Sequence, residues 1–331
     1  MKIAILAITN GGKELAQRLA TKLPDATFVS SEEKFSTILA EAWPRYDAFI
    51  CIMASGIVVR ALAQLVVDKK TDPCVLVMDE QGSFVISLLS GHLGGGNDLA
   101  RQLAAISGGQ AVITTASDVL GHTALDIWAR NHGLVVADKS RLTKAMTTLV
   151  NKGSLQVYSD LEFPPWPADF VIITDPDQAD LIISNRSDVA GQQPHLHPRN
   201  LVAGMGCNRG TPAPAFAGAL QELCDQENLA IQSIRNLASI DLKNDEKGLL
   251  EFARQNRYPI DFYSKDELNQ VPDLVPSPAV VKATGAQGVA EPAALLSSGG
   301  GQLIIGKQKW QDVTIALAQA PWPWLAPGQE A

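Results

Sequence analysis

The sequence predicts an α/β fold: an N-terminal α/β domain with a parallel sheet, a middle α/β region and a separate C-terminal α/β domain. Three observations lead there. Short apolar runs alternate with helix-like stripes along most of the chain. At 331 residues the chain exceeds what one hydrophobic core supports. Glycine-rich turns at 90–97 and 204–210 each lead from a strand into a helix. The expected divisions are 1–125, 126–198 packed on or beside the first domain, 199–320, and a tail at 321–331.

Residues 2–8 are too short an apolar run for a signal peptide and read as the first strand. A helix at 13–22, a strand at 26–29, a helix at 35–42 and a strand at 48–52 follow. Ser55-Gly56 opens a helical segment reaching 67. Residues 75–78 and 84–89 are nearly continuous apolar runs, as expected of parallel strands covered on both faces. After Asn97, Leu99, Leu103 and Ile106 recur on one helical face. Residues 112–115 read as a strand ending in the hydroxyls of Thr114 and Thr115.

The middle region reads as a helix at 142–150 and strands at 155–158 and 170–174, the strands separated by a Pro-rich turn at 163–168. Residues 192–199 read as a polar linker. His195 and His197 lie two apart with no third partner, so a structural role outweighs a metal site. In the last domain 201–206 is a strand and 207–210 its loop. Thr211 is expected as the helix cap and Pro212 at the first helical position. Phe216, Leu220, Leu223 and Cys224 form the buried stripe. Ser264 to Glu267 has capping-box spacing, and the segment after Gln319 reads as poorly ordered.

Composition narrows function. The 46% hydrophobic content and 19% charge describe a globular chain, and the net charge of -8 without a basic run argues against nucleic acid. No segment approaches a membrane span. Cys51, Cys74, Cys207 and Cys224 are scattered without C-x-x-C spacing, which favours neither zinc nor a disulfide framework and suits a reducing cytoplasm.

The most informative stretch is Ser90-Gly-His-Leu-Gly-Gly-Gly-Asn97. Gly94, Gly95 and Gly96 allow a sharp turn and leave amides at a helix N-terminus, which favours an anionic ligand. His92 adds an imidazole, a side chain suited to general acid–base chemistry. The stretch matches neither G-x-G-x-x-G nor a phosphate loop. Cys207, before a helix and two residues from Arg209, is either a lowered-pKa nucleophile or a small residue filling a turn. Ser239, Asp241 and Lys243 alternate, so a strand end would put them on one face. Glu246 falls in the first turn of the next helix; a well-capped helix start explains the group equally well. Glu291, before Pro292, is a cap or a general acid–base group. Lys307 is an anion ligand or an edge-strand gatekeeper.

Ser55-Gly-Ile-Val-Val-Arg60, Asp68-Lys-Lys-Thr-Asp-Pro73, Asp79-Glu80, Leu88 to Asn97 and Thr114-Thr-Ala-Ser-Asp118 together resemble the N-terminal region of the CbiG family of cobalt-precorrin-5A hydrolases, from anaerobic cobalamin biosynthesis. Gly204 to Gly210, Ser239 to Lys243 with Glu246, and Gly285 to Leu295 resemble that family's C-terminal domain, in the family's order. Gly96 stands where alanine is usual and Asn208 where a second arginine is common.

The resemblance implies hydrolytic opening of the ring A lactone of a cobalt corrinoid, with release of acetaldehyde. Water is the co-substrate, and cobalt arrives with the substrate rather than as a cofactor. The implied catalytic candidates are His92 and Asp118 as base, with amides around Gly94 to Gly96 as oxyanion donors. Glu291, Asp241 and Lys243 are candidates for later proton transfer or carboxylate binding. Substrate binding would draw on Gly56, Arg60, Lys69, Ser90, Asn97, Thr114, Thr115, Cys207, Arg209, Ser239, Glu246 and Lys307. A non-catalytic corrinoid carrier and a nucleotide-using α/β enzyme are the alternatives. A homodimer is compatible with the sequence.

Overall fold

A computed structural model describes residues 1–68, 71–92, 94–162, 165–189, 191 and 193–322. The chain divides into two compact units, Met1–Ile127 and Trp128–Ala331. The first contains β1 (Ile3–Ala7), α1 (Asn10–Ala20), β2 (Ala26–Phe28), α2 (Phe35–Ala42), β3 (Ala48–Ile52), α3 (Ser55–Leu62), β4 (Cys74–Met78), β5 (Phe84–Leu89), α4 (Gly96–Ser107), β6 (Gln110–Val112) and α5 (Ala116–Leu120). Helix α6 (Leu125–Asn131) runs across the division.

The first sheet has the order β2-β1-β3-β4-β5-β6. Strands alternate their side chains between its faces. Ile3, Ile5, Ile50 and Leu76 pack with Leu15, Leu19, Leu99 and Leu103 of α1 and α4. Ala4, Leu6, Phe49 and Val75 pack on the other face with Leu39, Val58 and Leu62 of α2 and α3. Near-complete burial of β1, β3 and β4 explains their continuous apolar sequences.

Strand β5 departs from expectation. It runs antiparallel to β4 and parallel to β6, and Phe84 is 52% exposed rather than covered. The cause is the link at 79–83, too short for a parallel crossover. The Asp79 carboxylate closes it by accepting from the Gln81 amide at 2.9 Å and the Phe84 amide at 2.6 Å. The strand expected through 115 ends at Val112, leaving Thr114 and Thr115 in the loop before α5.

The second unit holds two five-stranded sheets. One is built from β7 (Leu134–Val136), β8 (Leu155–Ser159), β9 (Phe170–Ile173), β10 (Leu181–Ile183) and β11 (His195–Pro198), in the order β7-β11-β10-β8-β9, with α7 (Lys139–Lys152) between β7 and β8. The stretch expected as a linker thus contains β11, paired on both sides. Leu196, His197 and Pro198 are buried there. His197 Nδ1 lies 2.8 Å from the Ser184 carbonyl, and both His195 ring nitrogens meet carbonyls, at 3.0 and 3.1 Å. These are structural histidines.

The last sheet follows β12 (Leu201–Cys207), α8 (Ala213–Gln226), β13 (Ile234–Ile240), α9 (Lys247–Asn256), β14 (Ile260–Tyr263), α10 (Lys265–Leu268), α11 (Pro278–Thr284), α12 (Ala290–Ser298), β15 (Gln302–Lys309) and β16 (Val313–Gln319), in the order β14-β13-β12-β16-β15. Phe216, Leu220, Leu223 and Cys224 are buried as the stripe predicts. The cap of α8 falls one residue later than expected, at Pro212, because the Thr211 hydroxyl donates to the Asn208 carbonyl at 2.9 Å instead. Ser264 and Glu267 form the full capping box. Past Gln319, the Trp322 indole donates to the His132 carbonyl at 3.0 Å; from residue 323 onward the tail lies outside the described residues. Among the described residues, no helix is long and apolar enough to cross a membrane.

Candidate active site

At the carboxyl end of β5 the chain turns through Ser90 and the glycines into α4. Ser90 has φ 54°, and its hydroxyl donates to the Asp72 carbonyl at 3.1 Å. Gly91 is required because a Cβ there would stand 2.5 Å from the Asn97 amide oxygen. Gly95, at φ 77°, caps α4 in the left-handed region that glycine adopts without cost.

This turn positions His92 among groups from α4, α5 and α6. His92 Nε2 lies 2.9 Å from Asp118 Oδ2 and 3.2 Å from the Ser117 hydroxyl. Asn97, only 3% exposed, donates to the same Asp118 oxygen at 2.8 Å and to the Thr115 hydroxyl at 3.1 Å. Arg101, one turn further along α4, bonds the other Asp118 oxygen and reaches Asp98 at 2.8 Å. His92 Nδ1 stands 3.9 Å from Asp126 Oδ1. Burial by itself would raise the Asp118 carboxyl. Hydrogen bonds from Arg101 and His92, with their charges, outweigh that and hold it below its ordinary value.

Asp118 is therefore an ionised acceptor that orients the His92 imidazole. The amides of Gly95, Gly96 and Asn97 bond the carbonyls of His92, Ser90 and Gly91 within the turn. That removes Gly95 and Gly96 as expected oxyanion donors. Arg101 is half-exposed and pairs with Asp118 and Asp98.

Other expected binding residues lie elsewhere. Gly56 and Arg60 belong to α3, which follows β3; antiparallel β5 puts them at the opposite end of the sheet from His92. The Arg60 guanidinium donates back to the Gly56 carbonyl at 2.9 Å. That end carries a cavity of about 570 Å³ with Thr9, Met53, Ser55, Ile57, Glu80 and Phe84 among its walls. Thr114 is exposed, and Lys69 lies outside the described residues.

In the second unit, Cys207, Lys243, Glu291 and Lys307 line one cavity of about 380 Å³ at the carboxyl ends of β12 and β13. Glu291, in the first turn of α12, accepts from the Lys307 backbone amide at 3.1 Å. Burial pushes the Cys207 thiol up despite the nearby Lys243 charge, which disfavours the thiolate form. Ser239, Asp241 and Lys243 do not share a face, because the chain leaves β13 at Ile240 and makes a 3-10 turn. Ser239 is fully buried and donates to the Met205 carbonyl at 2.7 Å, while Asp241 is exposed.

Glu246 caps α9, one position before the expected first turn, and accepts from the Gly210 amide at 2.9 Å and Lys243 at 3.4 Å. Arg209 bonds Asp245 and the Leu242 carbonyl beside an open groove of about 770 Å³. Among the described residues, no group of three or more His, Cys, Asp or Glu could hold a metal ion.

Sequence reasoning missed Arg101, Ser117 and Asp126. The four-residue spacing of Asn97 and Arg101 along one helix was the available signal for Arg101. Ser117 and Asp126 reach His92 through tertiary structure.

Family models described as Cobalamin synthesis G N-terminal, Cobalamin biosynthesis central region and Cobalamin synthesis G C-terminus match residues 37–118, 123–199 and 201–318. The chain is 34% identical to the cobalt-precorrin-5A hydrolase of Priestia megaterium, over 96% of this chain and 95% of the relative. It is 36% identical to that of Salmonella typhimurium, over 96% and 97%. The crystal structure of CobE, a protein from the cobalamin (vitamin B12) biosynthetic pathway, aligns with 37% of this chain and 92% of its own at 33% identity and a TM-score of 0.35. Matched by three successive family models and aligned almost end to end with two such hydrolases, the chain belongs to the CbiG family of cobalamin biosynthesis.

Proposed function

We propose that this chain is a cobalt-precorrin-5A hydrolase: it opens the ring A lactone to give cobalt-precorrin-5B and releases the two-carbon fragment as acetaldehyde. The observation that carries the reading is the near end-to-end alignment with hydrolases of that name. The His92–Asp118 couple supplies chemistry the reaction needs.

Nε2–H of His92 donates to Asp118, so Nδ1 keeps its lone pair and serves as base. It takes a proton from water, and the water oxygen bonds to the lactone carbonyl carbon. The carbonyl oxygen's developing charge is met by Arg101. The ring oxygen then departs as an alkoxide, leaving a carboxylate. Collapse of that alkoxide to a carbonyl breaks the carbon–carbon bond, whose electron pair stays on the macrocycle.

Cobalt enters as part of the substrate, and no resident cofactor takes part. Within the second unit, Lys243, Lys307 and Glu291 line one cavity whose lysines suit the carboxylates of a corrinoid. The reaction would run in a reducing cytoplasm.

Anaerobic incubation of the protein with cobalt-precorrin-5A tests the proposal. Stoichiometric acetaldehyde, followed with a coupled alcohol dehydrogenase, together with the opened corrinoid by mass supports it. Bound but unchanged corrinoid would make the protein a carrier instead.

A further inference from the structure

His92 faces a carboxylate at each ring nitrogen, with Asp118 Oδ2 at 2.9 Å from Nε2 and Asp126 Oδ1 at 3.9 Å from Nδ1. The two carboxylates are held differently. Asp118 is engaged by Arg101 and Asn97 as well as by the imidazole, which fixes the proton on Nε2. Asp126 stands in the first turn of α6, where its Oδ1 accepts a 2.9 Å bond from the neighbouring Ile127 amide. The side chains of His92 and Asp126 are 15% and 18% exposed, so neither is sealed from solvent.

A separation of 3.9 Å is too long for a direct hydrogen bond. It matches two acceptors bridged by one molecule that donates twice. Two hydrogen bonds of about 2.8 Å at a tetrahedral angle span about 4.5 Å, and a modest inward bend closes the difference. With both hydrogens so engaged, a water molecule presents its lone pairs outward.

We propose that Asp126 is a catalytic residue, which together with His92 Nδ1 holds the water that attacks the lactone. The inference rests on the hydrolase reading. Nδ1 takes one proton from the water, and that O–H bonding pair becomes the new bond to the acyl carbon. Asp126 holds the other hydrogen, which remains on the product carboxyl oxygen until that group ionises. The imidazolium, now with Nδ1–H beside Asp126, keeps that proton while the alkoxide collapses and returns it to the electron pair left on the macrocycle.

The test is anaerobic turnover of cobalt-precorrin-5A by wild type, Asp126→Ala and Asp126→Asn, with acetaldehyde and melting temperature both recorded. The expected result is a fall in kcat of roughly 100-fold or more for Asp126→Ala with KM within about threefold. Asp126→Asn, which keeps an acceptor oxygen without the charge, falls between. Added formate should restore part of the Asp126→Ala rate by supplying a carboxylate at the same place. Retention of more than half the wild-type kcat by both variants overturns the inference. So does a loss that formate leaves untouched and that tracks a lowered melting temperature. A wild type that releases no acetaldehyde overturns the hydrolase reading itself, and this inference with it.

Discussion

The Asn97 side-chain amide donates to Asp118 Oδ2 over 2.8 Å, the same oxygen that faces His92. A buried amide in the first turn of α4 thereby fixes a carboxylate in the first turn of α5. The orientation of the imidazole thus depends on a residue that bonds its carboxylate partner.

Asn97→Ala should lower stability by about 2 kcal/mol, because it removes a buried hydrogen bond to a charged group. Loss of Asp118 alignment should also reduce turnover, by about tenfold. Urea unfolding and the acetaldehyde assay measure both; an unchanged unfolding midpoint would show that the amide supports nothing.

His92→Ala should cut turnover at least 100-fold while leaving the fold intact, since β5 and α4 are held by their own packing. Near-normal rates would remove His92 from the mechanism.

The Asp118 carboxyl is held below its ordinary value of 3.8 in the folded chain. A depressed carboxyl stabilises the fold above its unfolded pKa, and that stabilisation disappears as pH falls through the folded value. The stability difference between wild type and Asp118→Asn should therefore be constant above about pH 5 and shrink below 3.8. A difference that persists unchanged into stronger acid would contradict the assignment.

Cys207→Ser should retain activity within about twofold, because burial raises the thiol and a thiolate is needed for nucleophilic attack. Inactivation of wild type by iodoacetamide, absent in the variant, would reverse this view.

Gly91→Ala should cost about 1–3 kcal/mol, since its Cβ would lie 2.5 Å from the Asn97 amide oxygen and something must shift. A melting temperature equal to wild type would mean that the turn relaxes freely.

The parts legible in the sequence are those set by local pattern. The continuous apolar runs of β3 and β4, the stripe of α8 and the capping box at Ser264 depend on neighbours within a few residues. Strand direction depends on the length of a connection: 79–83 permits only a reversal, but the apolar run at 84–89 reads alike in either direction. Strand β11 was hidden because its histidines satisfy their polarity on carbonyls supplied by Ser184, Val189 and Gln193. Within the site, His92, Asn97 and Asp118 stand out through the glycine turn and the family pattern. Asp126 lies 34 positions from His92 in the chain, and no periodicity connects the two.

The reversal of β5 gives the first sheet two chemically unlike mouths, an ionic one around His92 and a mostly apolar one near Met53 and Phe84. The length of β5, roughly 17 Å, keeps them apart. Substitutions at such separations contribute additively to stability. Selection can therefore reshape one mouth without disturbing the proton chemistry at the other, and a variant library confined to the apolar end would sample new contacts at little risk to the histidine.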